Sequence, residues 1–504
     1  MFDPALHLFI DDCHVRNRLG LERTFGVIRK LGTPVLTDVE GRLACWACVL
    51  REPDGRFRMW YQSLCRESVH EMATAGAWGR GDAFGFFPDR YPGAVPETQS
   101  SVVSYAESED GFHWQKPDLG LFEWRGSKHN NIVLDGSRAS AQFDRALTNM
   151  DTISVVRDEA DADPRERYKL ICHWETIHVW DNQVSRLGRS EEFMRKVWAA
   201  RAKYLTGSED GVHWNRPLVW VKGCAAGGDY AGVTRDERNR RYWFNDRAPV
   251  GLPNGGCRSA GLCTSGDLYH WPETVEMAFS PGLFEDYGRR YEHHGMVPFN
   301  YGDQDLCLLE YSVGGTPFAG ILGSHRDGEP WQRVNGDTPF LRLGARGAFD
   351  DTLVAATRNP PFRVGDELLF FYNGRHGAYG ADGSTAHIAA GVLRLDGFVA
   401  LTVDPSAVRR HGCPAALVTR ALAVTQDEVQ LNIAGHHGTA RLGLLRTDMN
   451  PVPGFEPENC LPIVEDAVRG TVRWKDRPSI AELKSQKVHA LLQMATGSVY
   501  AIRV

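Results

Sequence analysis

Four acids stand at one equivalent point of a repeated element, in which an acid leads an apolar strand, a polar turn and an aromatic strand: Asp151, Asp229, Glu292 and Asp350. Acids at equivalent points of successive repeats face one another wherever the repeats are arranged around an axis. Clustered carboxylates repel, which separates an ionised base or nucleophile from a protonated acid. Glycoside hydrolysis requires that combination. Glu292 has the longer reach, a Glu where its sister units carry Asp. Asp350 is followed by Asp351, so in a strand only one of the two points inward; Asp350 is read as substrate-binding.

Other side chains near these acids could hold a sugar. His293 and His294 follow Glu292, and His387 precedes the apolar run IAAGVL. His294 and His387 are candidates for hydroxyl or metal contacts, although a hydrogen-bonded structural histidine is commoner. Arg358 and Arg375 end or follow strands of the fifth unit and could clamp hydroxyls. Trp174, with Trp60 and Phe244, could offer a stacking platform or simply fill the core. Cys45-Trp-Ala-Cys48 has redox or zinc spacing, but it lies within an extended apolar run with no second ligand pair. No phosphate-binding loop, dinucleotide fingerprint, HExxH or GxSxG is found.

The elements that must position these residues are read from a second repeat. One heptad recurs as SEDGFHW (108–114), SEDGVHW (208–214), SGDLYHW (265–271) and HRDGEPW (325–331). It predicts a tight turn in which Asp accepts from backbone amides two residues on and Gly takes a positive φ. Its acids Asp110, Asp210, Asp267 and Asp327 are therefore structural. The last three tryptophans are 57 and 60 residues apart, a spacing of propeller blades or solenoid turns. The first gap is 100, and the excess around 185–203 has helical periodicity. Five units of blade length result, the first (from Cys45) without a leading acid. Closing them radially protects sheet edges.

The expected fold is thus all-β: a five-bladed β-propeller over residues 1–393, with insertions near 66–98 and 185–203, followed by a C-terminal β-sandwich over 394–504. With 504 residues, net charge −7, 24% charged and 42% hydrophobic residues, the chain reads as an ordinary globular protein. It has no basic block for nucleic acid and no apolar run long enough to span a membrane. The start MFDPALHLFIDD carries acids where a signal peptide carries bases, and eleven scattered cysteines read as free thiols. Both point to the cytoplasm.

SEDGFHWQKPDLGLFEWRGSKHNNIV (108–133), the opening LHLFIDD and the tail from DGFVAL through MNPVPGF to VYAIRV resemble bacterial glycoside hydrolase family 32-like proteins, related to the furanosidase propellers of families 32, 43 and 68. The resemblance covers nearly the whole chain and implies a five-bladed propeller with a C-terminal β-sandwich. It also implies roles: Asp151 as base or nucleophile, Asp229 as the stabilising carboxylate and Glu292 as general acid, in the family's order. The family 32 signatures Asn-Asp-Pro-Asn-Gly, Arg-Asp-Pro and Glu-Cys are absent. No cofactor is required, no protein metal ligand is assigned, and the resemblance allows a calcium ion in the channel. The expected activity is hydrolysis or transglycosylation of a short oligosaccharide, furanose-type sugars favoured, with a homo-oligomer allowed. The rivals are a non-catalytic sugar-binding propeller and a lyase or isomerase that uses His294 with a carboxylate on an acidic sugar.

Overall fold

The computed structural model describes residues 3–39, 41–65, 101–137, 149–159, 161–175, 202–221, 223, 230–252, 255–280, 291–313, 318–377, 383–477 and 479–504. Asp229, the 66–98 insertion and residues 185–201 of the second insertion lie outside these. Ala202 and Lys203, at that insertion's end, already belong to the strand Ala202–Ser208.

Short Val-, Leu- and aromatic-rich runs between turns form three four-stranded antiparallel sheets and one nine-stranded sheet, whose two antiparallel halves meet at a single parallel pair; these five groups of strands are here called blades 1 to 5 in chain order. Their first strands are Arg42–Arg51, Asn149–Arg157, Gly232–Asp236, Tyr291–Tyr301 and Leu353–Ala356, respectively. In blade 5, Leu353–Ala356, Glu367–His376 and Thr385–Arg394 are completed by Arg29–Leu36 from the start of the chain, which pairs with Thr385–Arg394. A strand from one end of the ring closing a sheet from the other is what holds a propeller shut. The all-β propeller expected from the repeats is the architecture the chain adopts.

Hydrogen bonds between neighbouring blades run the whole way round. The Cys48 thiol donates to Val155 O at 3.3 Å, Ser154 Oγ to Ala231 O at 2.7 Å, and the Met296 amide to Asn245 Oδ1 at 2.7 Å. Phe318 pairs in parallel with Leu353. Blade 5 returns to blade 1 through two buried asparagines: Asn373 Oδ1 accepts from Ala47 N (3.1 Å) and Asn359 Oδ1 from Val49 N (2.9 Å). The Ala47 amide belongs to the bulged segment Cys45–Cys48, where the strand leaves its own register, and Val49 follows where the register resumes.

The heptad turns form as the sequence predicts in three copies. Asp110 accepts from the amides of Phe112 and His113, Asp210 from Val212 and His213, and Asp267 from Tyr269 and His270, all at 2.7–2.8 Å. Their glycines Gly111 and Gly211 take φ of +81° and +73°.

Two further sheets enclose a second core that includes Phe9, Leu401, Leu442, Phe455, Trp474 and Leu492. They hold the strands beyond residue 394, and also three from the N-terminus: Leu6–Leu8 pairs with Ser498–Arg503, Val15–Leu19 with Ala415–Thr419, and Leu21–Phe25 with Val399–Val403. The assignment of residues 1–393 to the ring is corrected to that extent. The physical reason is that these short strands find open edges only in the C-terminal sheets, a long-range pairing that local pattern does not encode.

One sequence expectation fails outright. Cys263 is disulfide-bonded, so the thiols are not all free and the cysteine argument for a reducing compartment loses its premise. Among the described residues no helix is long and apolar enough to cross a membrane.

Asn373→Ala would strip the Ala47 amide of its acceptor inside the ring. We expect a loss of about 1–3 kcal/mol, read as a lower urea midpoint at unchanged denaturant slope.

Candidate functional site

The first strands of blades 1, 2 and 4 each carry a register shift at nearly the same depth: between Cys45 and Cys48, opposite Cys172/His173 at Asp151–Ile153, and between His293 and Gly295. Trp46 and Thr152 at two of these bulges take φ of +47° and +43°, the left-handed region that bulky and β-branched residues avoid. Bulges re-aim side chains, and strain of this kind gathers at functional sites. Here they turn residues of three blades toward one place.

The centre of that place is a carboxylate absent from the sequence reading. Glu310, on the second strand of blade 4 (Gln304–Val313), is buried and accepts at Oε1 from Arg358 Nη1 (2.9 Å) and Tyr230 OH (3.3 Å). At Oε2 it accepts from His294 Nδ1 (3.2 Å). His294 Nε2 in turn takes a bond from Arg247 Nη1 at 2.6 Å. An arginine only donates, so Nε2 is the acceptor, the ring proton is on Nδ1, and His294 is neutral. Burial, then the charge of Arg247, pushes the His294 pKa down to about 3. Burial acts to raise the Glu310 carboxyl, but the Arg358 charge and the His294 bond outweigh it and hold the group at about 2.

Aromatic rings wall this cluster. The Arg358 guanidinium lies 3.9 Å from the Tyr230 ring centre and 5.2 Å from that of Trp46, and the His294 ring lies 4.8 Å from that of Phe318. Gly295 is required beside His294, because a Cβ there would come within 2.2 Å of the Tyr230 ring.

The expected site residues fall into three groups. Asp151 and Glu292 converge with the cluster: the buried Arg247 is acted on by the charges of Arg258, Asp151, Glu310 and Glu292. Asp151 is half-buried, while Glu292 has no exposure and accepts at Oε2 from Arg258 Nη1 (2.8 Å), whose side chain is 41% exposed. Arg358 and His294 belong to the same cluster, though as partners of Glu310 rather than as open hydroxyl clamps. Arg375 is half-buried nearby, since its charge acts on the Cys45 thiol together with those of Asp151, Asp38 and Arg358.

Three others are placed differently. Trp174 is wholly buried in the core of blades 1 and 2 against Tyr204, so it offers no face to a ligand. Asp350 is buried and accepts from Lys30 Nζ (2.5 Å) on the closing strand and from Tyr372 OH (3.0 Å); it clamps blade 5 instead of facing a substrate. His387 lies on the third strand of that blade, its ring edge-on to Phe349 at 5.9 Å. Asp229 lies outside the described residues.

Cys45 and Cys48 are buried free thiols whose pKa burial drives up, Cys48 to about 12, so neither has thiolate character. The first unit does have an acid ahead of its strand: Asp38, held by Arg42 (3.0 Å) and Ser63. Glu310 and Arg247 had one signal in the sequence, a charge set within an apolar strand: Glu310 in LCLLEYSV, and Arg247 next to Asp246 in YWFNDRAPV.

No protein-family model and no curated protein matches the chain. Among solved structures it is similar to a thermostable family 43 glycoside hydrolase (10% identity, 71% of this chain and 90% of that one, TM-score 0.42). It is also similar to a family 117 glycoside hydrolase of Zobellia galactanivorans (10%, 75% and 91%, 0.38) and to a family 32 β-fructofuranosidase of Bombyx mori (9%, 96% and 93%, 0.37).

Both shifts in the cluster predict acid lability. A carboxyl held below its unfolded value of 4.5 contributes stability that is full above that pH and lost as pH falls toward about 2. His294, held neutral, adds a loss that begins below 6.5 and runs to about 3. The stability gap between wild type and Glu310→Gln should therefore be widest at neutral pH and shrink on acidification; denaturant titrations from pH 7 to 3 measure it, and a constant gap would contradict these shifts.

Proposed function

We propose that the protein is a glycosidase, a hydrolase or transglycosylase acting on a short oligosaccharide at the mouth of the ring. The observation that carries this reading is that the charges of Asp151, Glu292 and Glu310, from two blades of the ring, all act on one buried arginine, Arg247. Three carboxylates among fixed cations can hold different protonation states at one pH, which acid and base catalysis at a glycosidic bond needs.

The roles divide by environment. Glu310 is an anion tied to Arg358, so it orients His294 and Arg247 and carries no proton to a leaving group. Asp151 has the exposure a base or nucleophile needs. Glu292 is the general acid in this reading. It is covered and bound to Arg258, so a substrate oxygen reaches it by taking the place of that partly exposed guanidinium. Asp229 is kept as the third, stabilising carboxylate on its repeat position. Furanose preference rests on the resemblance of the sequence alone. The lyase or isomerase reading is less well supported, because both nitrogens of His294 are engaged within the cluster.

The test is a panel of aryl furanosides and pyranosides with the purified protein. Asp151→Asn should be inactive on every leaving group. Glu292→Gln should lose about 10²–10⁴-fold on poor leaving groups and much less on nitrophenolate-type ones, since a good leaving group needs little protonation. Sugar binding by calorimetry without turnover of any glycoside would replace the enzyme with a binding propeller.

A further inference from the structure

A second constellation lies far from Glu310 in the fold, where the N-terminal segment meets blade 4. His7 is the middle residue of the strand Leu6–Leu8, His14 precedes the strand Val15–Leu19, and Asp303 occupies the turn between the first two strands of blade 4. One ligand atom from each lies within 4.8 Å of the other two. His14 Nε2 is 2.6 Å and His7 Nδ1 3.9 Å from Asp303 Oδ2, and the two imidazole centroids are 4.6 Å apart. Both histidines are buried.

Two atoms of this group are left without a hydrogen-bond partner while sealed from solvent: His7 Nδ1 and Asp303 Oδ1. At 3.9 Å, His7 is too far from Asp303 Oδ2 for a hydrogen bond. Leaving such atoms unsatisfied is costly, so each calls for an explanation. Charge points the same way. Arg326 is shared between Asp11 (2.7 Å) and Asp303 (3.2 Å), so its one charge is divided between two carboxylates beside two imidazoles. The other such grouping among the described residues, Asp305, His325 and Asp327, differs: Asp305 is already bound by Asn300, Arg238 and His325.

We propose that His7, His14 and Asp303 bind a divalent transition metal, zinc by ligand type, and that the ion staples the N-terminal segment of the sandwich to blade 4. Two imidazoles and a carboxylate are a common zinc donor set, with a fourth position left to water. His7 supplies Nδ1 as a lone pair when its proton is on Nε2. His14 must give up the Nε2 proton it shares with Asp303, by moving it to Nδ1 or releasing it to solvent, so binding weakens as pH falls. The ligand atoms need shifts of only about 1 Å to reach the roughly 2.0–2.2 Å bonds zinc makes to nitrogen and oxygen. His7 lies in the strand paired with Ser498–Arg503, so the ion would join both ends of the chain to the ring.

The experiment uses the full chain stripped with EDTA and titrated with zinc, then with cobalt(II) as a visible probe. The expected result is one equivalent bound per chain, a thermal midpoint raised by a few degrees in excess zinc, and cobalt bands without sulfur charge transfer. Asp303→Asn and His7→Gln should each weaken binding at least tenfold and abolish the midpoint shift. Absence of binding to the wild-type chain would overturn the proposal. So would thiolate bands in the cobalt spectrum, which assign the ion to the cysteines and require no variant to fold, or binding unchanged in both variants.

Discussion

The ion pair between Glu310 and Arg358 is the constraint on which the site depends. Both side chains are almost wholly removed from solvent, so neither charge tolerates the loss of the other. Such a pair is poor evidence of net stability, because desolvation consumes most of the attraction. What it supplies is direction. Glu310 has one oxygen on Arg358 and Tyr230 and the other on His294, and His294 passes that orientation to Arg247. Arg247 then meets the field of Asp151 and Glu292. One buried carboxylate thereby fixes the tautomer of a histidine and the place of two arginines within the protein itself, an arrangement of charges and dipoles set by the fold.

The ring makes this arrangement possible by separating the strands that hold the blades from those that carry the cluster. Outer strands, heptad turns and the clamps Lys30–Asp350 and Asn373–Ala47 hold the blades. The inner strands depart from regular pairing where the site is. Trp46, Thr152 and His294 all occupy bulges, and side chains at these bulges bond across blade boundaries, as where Thr152 Oγ1 accepts from the Ala231 amide at 2.8 Å.

Much of the scaffold was legible in the sequence because repeats carry their own register. The heptad turn could be read from Asp and Gly, and the leading acids Asp151 and Glu292 marked where the first strands of blades 2 and 4 begin. Glu310 was not legible, since it lies in a second strand with no counterpart in the repeat, and a single acid in an apolar run announces burial rather than role. Trp174 and Asp350 were misread for the opposite reason. A strand shows alternation but not which core its face meets, so Trp174 fills the space between blades and Asp350 meets a lysine from the far end of the chain. The N-terminal strands follow the same rule, as their partners are some four hundred residues away.

The central claim, that the Glu310–Arg358 pair acts as one unit at the heart of the ring, is tested most directly by a double-mutant cycle with Glu310→Gln, Arg358→Met and the double variant, read by chemical denaturation at neutral pH. The account predicts that each single variant is costly because it strands a buried polar or charged partner, that the double variant costs less than the sum, and that the coupling is about 2–3 kcal/mol. Additive losses within about 0.5 kcal/mol would contradict it.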